Sequence, residues 1–229
     1  MKIKEYIDKS KTKTWNPQTL PDNVWKSNWP FAYLDFKDNF EDLHHEVENL
    51  PEKFWVDHRA KDKIGSYSHR GWQSVTLHGI SYDKTEHFDR YGFETEAEAS
   101  YIWTEVCEYL PAVTSFLKNL EYSKYSRVRL MKLAPQGYIM PHTDGSSRVF
   151  GPLNIALNNP KGCDFVFENY GVVPFKAGRG VFPDIGNTHA VYNNSAVPRV
   201  HIIVHGEINP KLMAEAVTTT YNGLHKRYI

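Results

Sequence analysis

Cysteine is scarce in this chain, which has two in 229 residues, Cys107 and Cys163, far apart and without a Cys-x-x-Cys. That argues against a disulfide framework and against a structural zinc, and leaves two reduced thiols, Cys107 in a helix and Cys163 near a strand. Charge of one sign is not in excess either, since Lys plus Arg and Asp plus Glu stand at 27 each. No global field therefore draws the chain to nucleic acid or to an anionic membrane, and a small molecule or peptide is the better expected partner. Long apolar runs are missing as well, and Met1 to Lys13 carries five lysines with no apolar core of a secretory signal. These absences lead to the expectation of a soluble, cytoplasmic protein. The sequence has no internal repeat and no low-complexity linker.

What is present is a globular composition, 41% hydrophobic and 14% aromatic, in a chain long enough to bury a sizeable core. One domain over residues 1–229 is expected. Residues 1–125 form an arm and helical support with a few strands, 126–206 the β core, and 207–229 a C-terminal helix and tail. Met1 to Pro30 has no clear periodicity and reads as an arm tacked down by Trp15, Trp25 and Trp29. Phe40, Leu43, Val47 and Leu50 have helical spacing, ended by Pro51. Gly71 to Gly79 alternates apolar and polar and reads as a strand. Helices are expected over 96–108, over 111–120 and from Pro210 to Val217, with a polar, mobile tail from Thr218.

From Ser126 onward short strands alternate with turn residues. They are expected at 126–133, 138–141, 151–157, 164–167, 172–175, 180–182, 190–193 and 200–205. Eight such strands suggest a double-sheet jelly roll, so the class is mainly β with flanking α-helices.

The candidate chemistry lies in Pro141-His142-Thr143-Asp144-Gly145, with His189 and Arg199 downstream. Two imidazoles and one carboxylate occupy one face of an octahedral metal and leave three positions open, the pattern of a mononuclear Fe(II) site. His-x-Asp alone is a weak signal, and a second copy, His87-Phe88-Asp89, is present. Context separates them. His142 and Asp144 end a strand, where residues two apart share a side, and Gly145 lets the chain turn away. The same parity puts Tyr138 and Met140 along the wall leading to the metal. His87 and Asp89 fall in a polar connection with no strand to hold them.

The last strand adds independent support. Val200, Ile202 and Val204 form an apolar face, while Arg199, His201, Ile203 and His205 form a polar one in the middle of a core strand. A buried charge without a partner costs several kcal/mol, so this face needs a ligand. A dicarboxylate gripped by the guanidinium fork of Arg199 would supply the counter-charge.

His142-x-Asp144, His189 and Arg199, in this order and spacing, resemble the Fe(II)- and 2-oxoglutarate-dependent oxygenases, whose fold is a double-stranded β-helix of jelly-roll, cupin-like type. More narrowly, the segments 129–143, 153–157, 181–184 and 189–200 resemble the aspartyl/asparaginyl β-hydroxylase branch, over about residues 126–206. The best-known animal members of that branch have a small residue where this chain has Asp144. The carboxylate completes the triad and argues against halogenation.

The resemblance implies that Fe(II) is held by His142, Asp144 and His189. It implies 2-oxoglutarate as cosubstrate, O2 as oxidant, succinate and CO2 as products, and hydroxylation of an amino acid or of a peptide or protein side chain. It also implies cosubstrate contacts from Arg199 and from Asn154, with Arg148 either a further contact or loop surface and His201 either lining that pocket or filling the core. Arg127 and Arg129 share a strand face that meets either the pocket or a solvated edge. Arg129, Trp72, Gln73 and Arg70 are the candidate substrate residues, with His78 as a further wall residue. Two other readings stay open at this point: a cupin-like metalloenzyme that does not use 2-oxoglutarate, and a non-catalytic binding module on the same fold.

Overall fold

The computed structural model describes residues 2–25, 28–60, 68–145 and 150–225. The strands are β1 (Phe31–Asp35), β2 (Val56–Asp57), β3 (His69–Gly79), β4 (Ile102–Trp103), β5 (Tyr122–His142), β6 (Leu153–Ala156), β7 (Cys163–Phe167), β8 (Gly171–Val172), β9 (Arg179–Pro183), β10 (His189–Asn193) and β11 (Arg199–Ile208). The helices are α1 (Ile3–Lys11), α2 (Phe40–Glu48), α3 (Glu96–Ala99), α4 (Pro111–Lys118) and α5 (Pro210–His225).

All strand pairs are antiparallel, in the order β1-β9-β6-β11-β5-β10-β7-β8, with β3 along the other edge of β5. The long strand β5 serves both sheets of the jelly roll. Its first part, Tyr122 to Leu133, pairs with β11, and its last part, from Tyr138 to His142, pairs with β10. Between them the chain bends at Ala134-Pro135-Gln136-Gly137, where Gln136 takes a left-handed φ of 58°. The sequence reads that stretch as a break between two strands; β3 pairs with β5 on both sides of it, with a register shift between Arg70 and Trp72, so the two parts form one bulged strand. Gly71 of β3 faces the bend with φ 68°, and a Cβ there would lie 2.9 Å from that of Ala134.

The bend is pinned by a buried side chain that no motif marks. The Asn193 Nδ2 amide donates to the carbonyls of Leu133 (3.1 Å), Ala134 (3.2 Å) and Val197 (2.9 Å). Those carbonyls have left the regular ladder and need donors in a site closed to water.

The main core lies on one face of the β3-β5-β11-β6 sheet. Val75, Leu77, Val128, Leu130, Val200, Ile202, Val204, Leu153 and Ile155 meet Phe40, Leu43 and Val47 of α2, Val113, Phe116 and Leu117 of α4, and Leu212, Met213, Ala216 and Val217 of α5. Asn39 caps α2 by accepting from the Glu41 amide, and Pro111 begins α4 where its missing N–H costs nothing. The opposite face of the same strands lines a cavity.

Several sequence expectations give way. The arm contains α1, whose Tyr6 and Ile7 bury against Val166 and Ala190; a lysine-rich composition hides that narrow stripe. Trp15 and Trp29 pack edge to face at 5.4 Å, but Trp25 stays exposed. The expected helix 96–108 is broken, because Ser100 turns left-handed and Thr104 binds β3, its amide to Leu77 O and its hydroxyl to Thr76 O. Cys107 accordingly sits in a short 3-10 turn, and Cys163 opens β7. The tail from Thr218 continues α5 to His225, anchored where the Tyr33 amide donates to the buried Thr220 hydroxyl at 2.6 Å. β1, which precedes residue 126, completes the sheet beside β9. Among the described residues no helix is long and apolar enough to cross a membrane.

Candidate active site

Three ligand-type side chains converge at the end of the jelly roll. His142 is the last residue of β5 and His189 the first of β10, and the two are directly paired. Asp144 follows two residues after the strand, where its amide donates to Ile185 O at 2.8 Å and Gly145 turns the chain at φ 100°. The Asp144 carboxylate lies 3.6 Å from His142 Nε2 and 3.8 Å from His189 Nε2, and the three donor atoms are within 4.8 Å of one another.

Both imidazoles are oriented for coordination. His142 Nδ1 donates to Met140 O at 2.7 Å and His189 Nδ1 to Asn187 O at 2.9 Å. Each Nε2 therefore carries the lone pair, turned toward Asp144, as metal-ligating histidines require. Burial, with His142 next in effect, lowers the His189 pKa to about 4, so the ring is neutral near pH 7. Phe165 stacks parallel on His189 at 5.3 Å. The two distances to the Asp144 carboxylate need to close by less than 1 Å to reach the edge of about 3 Å set by metal–ligand bonds near 2.1 Å. The residues thus fit a divalent first-row metal such as Fe(II).

The cavity beside this triad encloses about 290 Å³. On its β11 wall, Arg199 is buried and no ion pair to it is formed among the described residues. Its Nη2 donates to His201 Nδ1 at 2.7 Å, and the Asn154 carboxamide lies 2.8 Å from the same nitrogen. His201 Nε2 and Arg199 Nε are buried without partners. Burial pulls the Arg199 pKa to about 10, which leaves it charged at neutral pH, and burial beside that cation keeps His201 neutral. Phe175 underlies both, with its ring 4.6 Å from that of His201.

The far end of the cavity holds a second cationic group. Arg129 Nη1 donates to Thr85 O at 2.9 Å and reaches His58 Nε2 at 3.4 Å, and its Nη2 reaches His205 Nε2 at 3.2 Å. Burial, then the positive charge of Arg129, pushes His58 and His205 well below the usual imidazole range. His58 is fixed in turn through Nδ1 by the Ser74 and Thr85 hydroxyls.

The other sequence candidates divide. Trp72 lines the cavity, with His58 edge-on at 4.3 Å. Arg70 and Gln73 do not: Arg70 is exposed, because the irregular step at Gly71 separates its side from that of Trp72, and Gln73, next to Trp72 in a regular ladder, points the other way toward Glu52. His78 lies outside the cavity, against Trp103 and the Ser126 carbonyl. Arg148 falls outside the described residues. Tyr138 and Met140 are not on the wall either. Ile139 is, because β5 has one extra residue between the pairs His142–His189 and Ile139–Val191, and this bulge reverses the parity.

His87 and Asp89, the other His-x-Asp, pair with each other at 2.9 Å, both more than half exposed. Among the described residues they join no group of three metal-ligand side chains. Sequence reasoning missed His58 and Arg59, which follow a two-residue strand with no pattern of its own. Arg127 had a signal, its i, i+2 relation to Arg129.

A family model described as Aspartyl/Asparaginyl beta-hydroxylase matches residues 32–207, a wider span than the 126–206 stretch of recognisable motifs. No curated protein sequence matches the chain. Among solved structures it is similar to a prolyl-4-hydroxylase from Pseudomonas putida, at 13% identity and a TM-score of 0.45 over 79% of this chain and 94% of that one. It is also similar to the viral collagen prolyl hydroxylase from Paramecium Bursaria Chlorella virus-1, solved with 2OG, at 12% identity and a TM-score of 0.42 over 77% and 95%. A third is HygX from Streptomyces hygroscopicus, with nickel and 2-oxoglutarate bound, at 10% identity and a TM-score of 0.42 over 76% and 81%.

Proposed function

Because the chain belongs to the aspartyl/asparaginyl β-hydroxylase family, we propose that it is a 2-oxoglutarate-dependent hydroxylase in which His142, Asp144 and His189 hold Fe(II). Arg199 grips the distal carboxylate of the cosubstrate. The observation that carries this reading is the pairing of a facial ligand set with a buried, charged and unpaired guanidinium in one small cavity. A metal cupin that did not use a dicarboxylate would have no use for Arg199, and burying that charge would be a cost without return.

Bound Fe(II) supplies the redox chemistry by which O2 is consumed with oxidative decarboxylation of 2-oxoglutarate to succinate and CO2, one oxygen atom entering a substrate C–H bond as hydroxyl. The chain contributes geometry and electrostatics. Met140 O and Asn187 O hold both imidazoles in the ligating tautomer. His201, neutral and accepting from Arg199 through Nδ1, keeps its proton on Nε2 and offers a further donor to the cosubstrate carboxylate. Phe165 and Ile139 line the cavity beside the triad.

Purified protein with Fe(II) is expected to convert 2-oxoglutarate to succinate, slowly and without coupling when no prime substrate is present. His142→Ala and Asp144→Ala each abolish this and lower Fe(II) affinity by about 10-fold or more. Succinate formation assayed by mass spectrometry, together with metal content, tests it. Full turnover and full metal loading in both variants would remove the assignment.

A further inference from the structure

The cosubstrate accounts for one cationic group of the cavity and leaves the other unexplained. Arg199 is registered opposite Leu133 of β5, four residues along the strand from Arg129. At about 3.3 Å per residue the two backbone positions are roughly 13 Å apart. The carboxyl carbons of 2-oxoglutarate, four C–C bonds of about 1.5 Å apart, are separated by only about 5 Å. One cosubstrate molecule bound at the metal and at Arg199 does not also neutralise the far end.

That end is built for an anion. Arg129 is 6% exposed and every hydrogen-bond acceptor it has is neutral: a carbonyl and two imidazoles kept uncharged by burial. Its Nε is buried without a partner, as are Nε and Nη1 of Arg127, two residues away on the same strand face. No ion pair among the described residues involves either arginine. Five arginines line the cavity against two acidic residues, Glu86 and Asp144. Guanidinium nitrogens buried without an ion pair or a hydrogen-bond acceptor cost the fold several kcal/mol, and an anionic ligand offsets that cost.

We propose that Arg127 and Arg129 form a second anion subsite that takes a carboxylate or phosphate group of the prime substrate, making that substrate a compact organic anion. As a substrate subsite this rests on the hydroxylase reading above, whereas anion binding there does not. A cavity of about 290 Å³ lies at the small end of ligand sites, which suits a small molecule or one acidic side chain.

The test uses the full chain carrying Arg199→Gln, which removes the cosubstrate clamp and isolates the second subsite. Inorganic phosphate, then O-phospho-L-serine against L-serine and L-glutamate against L-glutamine, are titrated by calorimetry. Phosphate and the charged member of at least one pair are expected to bind, and which pair discriminates tells phosphate from carboxylate recognition. Adding Arg127→Gln is expected to weaken that binding about 10-fold or more, and Arg127→Lys to restore most of it. An Arg129→Lys variant with an unchanged melting temperature checks the partner residue without removing charge from a buried position. No anion binding in the Arg199→Gln protein, or binding indifferent to Arg127→Gln, overturns the proposal. Wild-type protein that fails to bind 2-oxoglutarate while phosphate binding still depends on Arg127 removes the hydroxylase reading and leaves the subsite standing.

Discussion

Replacing Arg199 by methionine is expected to stabilise the ligand-free protein while destroying cosubstrate binding. The guanidinium is 5% exposed and burial pulls its pKa from an ordinary 12.5 to about 10. The charged form is the disfavoured one, so the folded state bears a penalty at any pH below about 10, worth about 3 kcal/mol. Methionine retains an unbranched stem against Phe175 and gives up the donation to His201, worth about 1 kcal/mol. The net gain is about 2 kcal/mol, or roughly 4–8 °C in melting temperature for a chain of this size. The same change leaves the carboxylate of 2-oxoglutarate without its cation, a loss of about 2–5 kcal/mol, or about 30-fold or more in affinity. Urea unfolding of the metal-free protein and calorimetric titration of 2-oxoglutarate into Mn(II)-loaded protein measure the two effects. A variant destabilised by more than about 1 kcal/mol would show that Arg199 is kept for the fold, and unchanged cosubstrate affinity would show that it is not the clamp.

Metal-free protein is expected to lose stability as pH falls from about 6.5 toward 4. The folded pKa of His189 is depressed to about 4 against an ordinary 6.5, so its contribution is fully present above 6.5 and lost below, amounting to about 3 kcal/mol. His58, His201 and His205 shift the same way; urea midpoints at pH 7, 5.5 and 4.5 that coincide would refute this. Asn193→Ala is expected to cost about 2–3 kcal/mol, since three carbonyls at the β5 bend lose their donor, with Asn193→Asp at least as damaging. Chemical denaturation checks it, and a loss under about 0.5 kcal/mol would mean that water replaces the amide.

How much was legible depended on whether the signal was local. Val200, Ile202 and Val204 against Arg199, His201 and His205 show two faces by alternation alone, and the structure puts one under the helices and the other on the cavity. The order of His142, Asp144, His189 and Arg199 likewise pointed to one place. Tyr138 and Met140 lie off the wall because a single bulged residue inverts parity, and bulges leave no mark in an alternating pattern. Arg70 lies outside for the same kind of reason at Gly71. α1 was hidden by its lysines, and the segment 96–108 by helix-forming residues that pairing with β3 overrides.

By itself the sequence determined the mainly β class, the ligand types and the presence of a cation on a core strand, since each is written in residue identity and short-range spacing. Only the tertiary structure decided that β5 bends from one sheet to the other and brings His142 beside His189. It also decided that Arg127 and Arg129 turn inward rather than lying on a solvated edge, and that His58 reaches Arg129 from a distant segment. Whether a strand's face meets water or a cavity depends on what packs against it, and those partners lie tens of residues away along the chain.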